Sequence, residues 1–192
     1  MSIFALSSYY NDINIMEENK ITPLKNAMNY GTVVGFVLII ISVLFYILGK
    51  SDSDIQAWIA YAVIIAGIVI GTQNYRDNQL GGYINYTQCL ASGTLIAFFT
   101  AIITAFYTYL FFTFIDASLI ETLLEKQMVA MEEKGLDDEQ IEMAMLWTRK
   151  FMTPMWMSVM VLLSYTFMGF VFSLITSIFL KKKNDSFENN FQ

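Results

Sequence analysis

Histidine is absent from the 192-residue chain, and cysteine occurs only once, as Cys89. Without histidine, the commonest general base and the commonest metal ligand are both missing. A single cysteine cannot form a disulfide within the chain and cannot build a zinc site. The sequence also has no phosphate-binding loop, dinucleotide motif or catalytic triad. It therefore predicts no enzymatic activity, no cofactor and no metal, and nothing in it indicates nucleic-acid binding.

Charged residues are scarce and unevenly placed. They make up 15% of the chain, compared with about 25% in a soluble globular domain, and the mean hydropathy is +0.50. Four long stretches carry no charge: residues 27–48, 55–72, 89–115 and 155–180. A helix of about 20 residues crosses a hydrocarbon core of about 30 Å, and these stretches lack the alternation of barrel strands. The sequence therefore predicts an all-α polytopic membrane protein with four transmembrane helices.

The missing intramembrane charge also bears on function. Ionisable side chains within a membrane usually mark an ion path, a proton relay or a substrate site. The four predicted spans contain none. This absence disfavours a proton-coupled transporter or pump.

The spans organise the rest of the chain. Residues 27–183 are predicted to form a transmembrane domain, residues 1–26 a mobile cytoplasmic tail and residues 184–192 a flexible tail. The fourth span has a defined start, because Thr153 can cap the helix and Pro154 fits its first position. The polar run that begins at Met16 looks like a natural start, so residues 1–15 are expected to be an upstream extension.

Orientation is predicted from the lysines and arginines of the short loops. Lys181, Lys182 and Lys183 directly follow the fourth span, whereas the bases of the third loop are spread over 39 residues. An even number of spans places both termini on the same side of the membrane. We therefore predict that both termini are cytoplasmic and that residues 116–154 lie outside.

Residues 116–154 are predicted to form an amphipathic helical hairpin. Ser118 with Glu121 matches a capping box at the start of one helix, and Gly135 would end it. Asp137 with Gln140 predicts the cap of the second helix. The segment contains nine acidic and four basic residues, and eight of the twelve methionines lie between positions 128 and 160. Two interpretations remain open: a methionine-rich docking surface for a partner, or a hairpin that packs on itself and on the membrane surface.

Small residues recur four apart in the spans, which is typical of close helix packing in lipid. These residues form four faces: Gly31 and Gly35; Gly67 and Gly71; Ala97, Ala101 and Ala105; and Gly169, Ser173 and Ser177. The faces either hold the four helices together or include one that binds a different integral membrane protein. The sequence does not predict which face packs internally, nor the oligomeric state.

The segment 72–88 is predicted to be a loop and is the other candidate site. It contains Asn74, Tyr75, Arg76 and Asp77, followed by a double glycine. The planar fork of Arg76 could bind a phosphate, a lipid headgroup or a partner carboxylate in a bidentate way. Alternatively, the segment is a structural turn in which Arg76 pairs with Asp77 or caps a neighbouring helix end.

Four stretches are similar, in sequence and in spacing, to a known family: Lys25–Gly31, Tyr61–Gly71, Asn74–Asp77 and Gly81–Ile84. They resemble the bacterial four-pass membrane family catalogued as domain of unknown function 4199, and the resemblance extends from Met16 to the terminal lysines. It implies a bacterial cytoplasmic-membrane protein of four helices, without an established activity. Members of such families often lie beside genes for polyprenyl-phosphate glycosyltransferases, an association that suggests an accessory role in envelope glycan assembly.

Two functions follow as hypotheses. The first is a non-catalytic accessory or scaffolding subunit that uses the small-residue faces and the hairpin to hold another integral membrane protein. The second is a lipid-handling or carrier protein that binds an anionic headgroup through the Arg76 segment. The uncharged spans favour the first hypothesis.

Overall fold

The computed structural model describes residues 22–51 and 53–182, and these residues are almost entirely helical. Six α-helices and one π-helical segment follow one another along the chain: α1 (Pro23–Ile47), α2 (Asp54–Gln79), α3 (Tyr86–Leu110), the π-helical segment (Phe111–Ile115), α4 (Ser118–Glu133), α5 (Asp138–Phe151) and α6 (Pro154–Leu180). The predicted tails lie outside the described residues, except for residues 22–26.

Four helical segments in the described part of the chain are long and apolar enough to cross a membrane. They are Pro23–Ile47, Asp54–Gln79, Tyr86–Ile115 and Pro154–Leu180. The prediction of an all-α protein with four membrane-spanning helices is therefore confirmed. Each helix extends beyond its uncharged stretch at one end at least. Charged residues do not stop a helix, because its ends depend on where the terminal backbone groups find hydrogen-bond partners.

Capping residues set several helix starts. Thr22 accepts a hydrogen bond from the backbone N–H of Lys25 (3.2 Å), so α1 begins four residues before the predicted span. Thr153 caps α6 and Pro154 occupies its first turn, as predicted. In a helix N-terminus these side-chain oxygens replace the missing backbone acceptors.

The predicted hairpin is present as α4 and α5. Gly135 follows α4 with a φ of 76°, a conformation that glycine adopts without strain. Asp137 and Gln140 form the predicted capping box of α5. Leu124 of α4 and the α5 residues Ile141 and Met145 make a small buried cluster, so the two amphipathic helices bury part of their apolar stripes against each other.

The predicted capping box at Ser118 is wrong. Ser118 is the first residue of α4, and its hydroxyl donates to the Asp116 carboxylate (2.6 Å). Asp116 also accepts the backbone N–H of Leu119 (3.2 Å) and the hydroxyl of Tyr46 (3.0 Å). The Asp116 carboxylate, rather than the Ser118 hydroxyl, accepts a backbone N–H at the start of α4, because a charged acceptor forms the stronger hydrogen bond.

Helix α3 lies at the centre of the transmembrane bundle. In the apolar 18-residue stretch of the span Tyr86–Ile115, 44% of the residues are buried inside the protein, compared with 11% in the corresponding stretch of α6. It packs most extensively against α6 and α1, and α2 contacts both α1 and α3. The core between these helices includes Val34, Ile64, Ile68, Ile96 and Ala97. Large apolar side chains on the opposite faces of the helices remain exposed, as expected for a bundle surrounded by lipid.

Candidate functional site

The segment predicted as a loop is partly helical. Residues 72–79 form the last turns of α2, so Asn74, Tyr75, Arg76 and Asp77 lie on a helix and the loop prediction is wrong for them. No glycine or proline interrupts this stretch, and the helix ends only before Gly81 and Gly82, whose φ angles are 65° and 88°. α3 already begins at Tyr86, with Asn85 and Gln88 forming a capping box, so residues 80–85 are the whole connection.

Arg76 is engaged within the fold. Its Nε donates to Oδ1 of Asp77 (2.7 Å) and its Nη2 donates to Oδ2 (3.1 Å), which is the bidentate geometry of a guanidinium and a carboxylate. Its Nη1 points to the backbone carbonyl of Leu180 (3.5 Å), in the last turn of α6. This carbonyl is among those that a helix C-terminus leaves without an intrahelical donor. Arg76 thus links the end of α2 to the end of α6.

A backbone pairing reinforces the same link. Ile84 and Lys182 form an isolated antiparallel bridge, in which each backbone N–H donates to the other residue's carbonyl at 3.0 and 2.9 Å. Beneath the bridge, Tyr75, Ile84, Cys89 and Leu180 form a buried apolar cluster. We call this assembly, residues 74–85 together with residues 180–182, the Arg76 corner.

The pairing of Lys182 was missed from the sequence. Its ammonium group lies 5.8 Å from the centre of the Tyr83 ring, and its backbone continues α6 into the bridge. No local pattern marks a single bridge between distant positions, so no sequence signal could have found it.

The predicted small residues lie at contacts between helices. A Cβ atom added to Gly67 would overlap the Val34 side chain of α1, and one added to Gly169 would overlap Ala97 of α3. Gly31 faces Phe99, Gly35 faces Ile103 and Gly71 faces Ile96 in the same way, all on α3. The residues with at most 9% exposure include Ala97, Ala101, Ala105, Ser173 and Ser177. All four faces are therefore occupied by neighbouring helices of the same chain.

Two polar contacts between the helices were also missed. The side-chain amide of Asn26 donates to the carbonyl of Gly71 (3.0 Å), and the hydroxyl of Thr100 donates to the carbonyl of Gly31 (3.1 Å). Both side chains are at most 2% exposed. Each bond joins α1 to a neighbouring helix at one of the small faces, where the close approach of the two backbones brings a glycine carbonyl within reach of the donor.

A sequence profile of the family described as protein of unknown function (DUF4199) matches residues 29–182. The chain belongs to this family. The match covers the hairpin, most of α1 and all of α2, α3 and α6, and it confirms the resemblance predicted from the sequence. No curated protein and no solved structure matches the chain significantly.

The hairpin of this DUF4199 protein presents a second candidate surface. Ile141 and Met145 point from α5 into the hairpin core, and residues two positions from Met145 turn away from that core, with Leu146 between the two sides. Met143, Leu146 and Trp147 are 60%, 60% and 59% exposed. The ammonium group of Lys150 lies 4.7 Å from the centre of the Trp147 ring. We call these four residues the outer face of α5.

An acidic groove of about 360 Å³ runs between the two hairpin helices beside this face. Its charged lining consists of Glu132, Asp138, Glu142 and Arg149, and Met128 and Met145 contribute apolar wall. Leu146 belongs to both the groove and the outer face of α5, so the exposed apolar face is continuous with the negatively charged groove.

Proposed function

We propose that the protein is a non-catalytic accessory or scaffolding subunit of a larger membrane complex, and that its hairpin holds another integral membrane protein. The supporting observation is the outer face of α5, where three large apolar side chains are exposed next to an acidic groove. Apolar patches rimmed by polar residues are typical of interaction sites. The groove favours a partner segment that carries basic residues, because complementary charge fixes the register of an interface.

The small-residue faces are occupied within the bundle, which leaves the hairpin as the better surface for a partner. Gly67 and Gly169 already contact neighbouring helices of the same chain. A second membrane protein could replace those contacts only by opening the bundle. The outer face of α5 requires no such rearrangement.

The proposal places the protein in the cytoplasmic membrane of a bacterium, with both termini in the cytoplasm and the hairpin on the outer side. Lys25, Arg76, Lys181 and Lys182 lie at the end of the bundle opposite to the hairpin, which supports this orientation through the positive-inside rule. The family resemblance supports envelope glycan assembly as the process that the complex serves.

The experiment is purification from native membranes in a mild detergent, followed by identification of the co-purifying proteins and lipids. We expect a stoichiometric membrane protein with the unmodified chain, and its loss from the double variant Met143→Gln, Trp147→Gln. Val129→Gln is the matched control, because Val129 is an exposed apolar residue of α4 outside the outer face of α5. A partner that stays with the double variant at unchanged stoichiometry would contradict the role of this face.

The alternative proposal, a carrier that binds an anionic headgroup through Arg76, has weaker support. Asp77 already occupies two of the guanidinium nitrogen atoms, so a headgroup phosphate would have to compete with it. The same purification tests this alternative. A retained anionic lipid that disappears in Arg76→Ala would favour the carrier over the scaffold.

A further inference from the structure

A cavity of about 430 Å³ lies at the hairpin end of the bundle, far from the Arg76 corner. Its walls come from α1, α2, α3, the π-helical segment and the hairpin, and from the first turns of α6. Aromatic and methionine side chains dominate the lining, among them Phe111, Phe112 and Met157. A smaller cavity of about 90 Å³ continues inward and shares Gln56, Tyr107 and several other lining residues with it. The size of the larger cavity is within the range of about 300–1,000 Å³ that is usual for ligand sites.

Two polar atoms at this cavity lack hydrogen-bond partners. Oε1 of Gln56 and the hydroxyl oxygen of Tyr107 are both buried, and neither contacts a donor or acceptor within residues 22–51 and 53–182. Buried polar side-chain atoms nearly always have a partner. Because Gln56 and Tyr107 line both cavities, a ligand in the cavity can supply the missing hydrogen-bond partner.

Water alone fits this space poorly. At about 30 Å³ for each molecule, the larger cavity would hold more than ten waters, and each would need two to four polar partners. Of the fifteen lining residues, eight are apolar and seven carry a hydroxyl or an amide, and two of these hydroxyls, on Tyr46 and Thr108, already donate to Asp116 and to the carbonyl of Thr104. A ligand with a long apolar part and a small polar group matches the lining better.

The charges around the cavity indicate an uncharged ligand. Among the lining residues that belong to the described part of the chain, none is acidic or basic. The carboxylate of Asp116 accepts the hydroxyl of the lining residue Tyr46 (3.0 Å), and it also accepts the Ser118 hydroxyl and the Leu119 backbone N–H. An anionic group would be repelled by this carboxylate, and a cationic group would have to compete with the three donors that already bind it.

We propose that this cavity binds an uncharged amphipathic lipid. A hydroxyl or ester carbonyl of the lipid hydrogen-bonds with Gln56 and Tyr107, and its hydrocarbon chain packs against the aromatic and methionine wall. Phe151 and Met160, which are 46% and 45% exposed, mark the opening through which the chain enters. The site is independent of the proposed docking surface, because neither the outer face of α5 nor the Arg76 corner lines it.

The test is equilibrium binding of radiolabelled monoolein, an uncharged lipid with free hydroxyls and one ester, to the full-length protein in detergent. We expect saturable binding of one monoolein for each chain. Tyr107→Phe and Gln56→Leu should each weaken it by about fivefold or more, since each removes one hydrogen-bonding group. Val161→Trp, which fills the space shared by both cavities, should abolish it. Tyr109→Phe is the matched control on α3, because Tyr109 is exposed and does not line the cavity.

Thermal unfolding without lipid shows that each variant is folded before its binding is compared. Binding that Tyr107→Phe and Gln56→Leu leave unchanged would overturn the assignment of the polar group. Undiminished binding to Val161→Trp would exclude this cavity as the site. Oleate binding as tightly as monoolein would overturn the inference that the ligand is uncharged, and an absence of saturable binding to the unmodified protein would overturn the proposal as a whole.

Discussion

Arg76 carries five N–H donors on a planar group, and each of its three nitrogen atoms faces an acceptor of the fold. Because the carboxylate of Asp77 is the next residue along α2, the ion pair forms within the helix end itself. The side chain of Arg76 is 21% exposed and that of Asp77 is 52% exposed. An ion pair of this exposure is screened by solvent, so its main role is to orient the guanidinium toward α6.

This arrangement predicts that Arg76 matters for stability rather than for binding. Arg76→Ala should lower the Tm in detergent, and Arg76→Lys should recover only part of the loss because an ammonium cannot form the bidentate pair. Partner and lipid retention should stay unchanged at matched stability. Asp77→Asn should lower the Tm as well, and combining it with Arg76→Ala should add little, since both changes break the same pair. A variant of Arg76 that loses a lipid or partner at an unchanged Tm would contradict this prediction.

Asp116 predicts a dependence of stability on pH. Hydrogen bonds from the Ser118 hydroxyl, and then from the Tyr46 hydroxyl, hold the pKa of this carboxyl below its ordinary value of 3.8. A carboxyl whose pKa is lower in the folded state stabilises the fold above the unfolded-state pKa. That contribution is lost as the pH falls below about 4 toward the folded-state pKa.

The measurement compares the Tm of Asp116→Asn with that of the unmodified protein from pH 7 to pH 3. The variant should be less stable at pH 5–7, and the difference should shrink below pH 4. Glu125→Gln is the control, because it removes a carboxylate of the same hairpin without touching the bonds of Asp116. A difference that stays constant over the whole pH range would show that the charge of Asp116 contributes nothing.

At the scale of helices, close approach depends on residues that lack bulk. Gly67 of α2 lies against Val34 of α1, and Gly169 of α6 lies against Ala97 of α3. In lipid the helices gain little from the hydrophobic effect, so packing and hydrogen bonds provide most of the association energy. The bond between Asn26 and Gly71 joins the same pair of helices as the contact of Gly67. Each small residue therefore stabilises the contact between the two helices that meet at its position.

Gly67→Leu should destabilise the bundle by about 1–3 kcal/mol, because a bulky side chain forces α1 and α2 apart. Ala66→Leu is the matched control: Ala66 is the preceding residue of the same helix, but its side chain is exposed. Thermal unfolding of both variants in one detergent gives the comparison. Equal Tm values for the two variants would show that the space beside Gly67 can adjust to a larger side chain.

For the molecule as a whole, the sequence predicted the features that depend on local composition. The four spans follow from hydropathy, and the cap at Asp137 follows from residues only three positions apart. The extension of α2 to Gln79 was missed because charge and polarity were taken as a helix end, while only the following glycines stop the backbone. The bridge between Ile84 and Lys182 could not be predicted, since it depends on the arrangement of all four long helices.

The orientation of the whole molecule is a further prediction. A cysteine introduced at Asp138 should react with a membrane-impermeant thiol reagent added outside intact cells, and one introduced at Asn189 should react only after lysis. The native Cys89 is 1% exposed, so it should contribute little background. Labelling of position 189 but not of position 138 in intact cells would reverse the proposed orientation.

The link between the two ends of the Arg76 corner has a consequence for biosynthesis. Arg76 and its acceptor Leu180 are 104 positions apart, and the bridge to Lys182 also needs the last residues of α6. At about 5–20 residues per second, the ribosome delivers the second partner roughly 5–20 s after the first. During that interval the start of α3 has no α6 to cover it. The corner therefore closes only after the fourth helix has been inserted, and a chain truncated before α6 would present an open corner that distinguishes it from the completed protein.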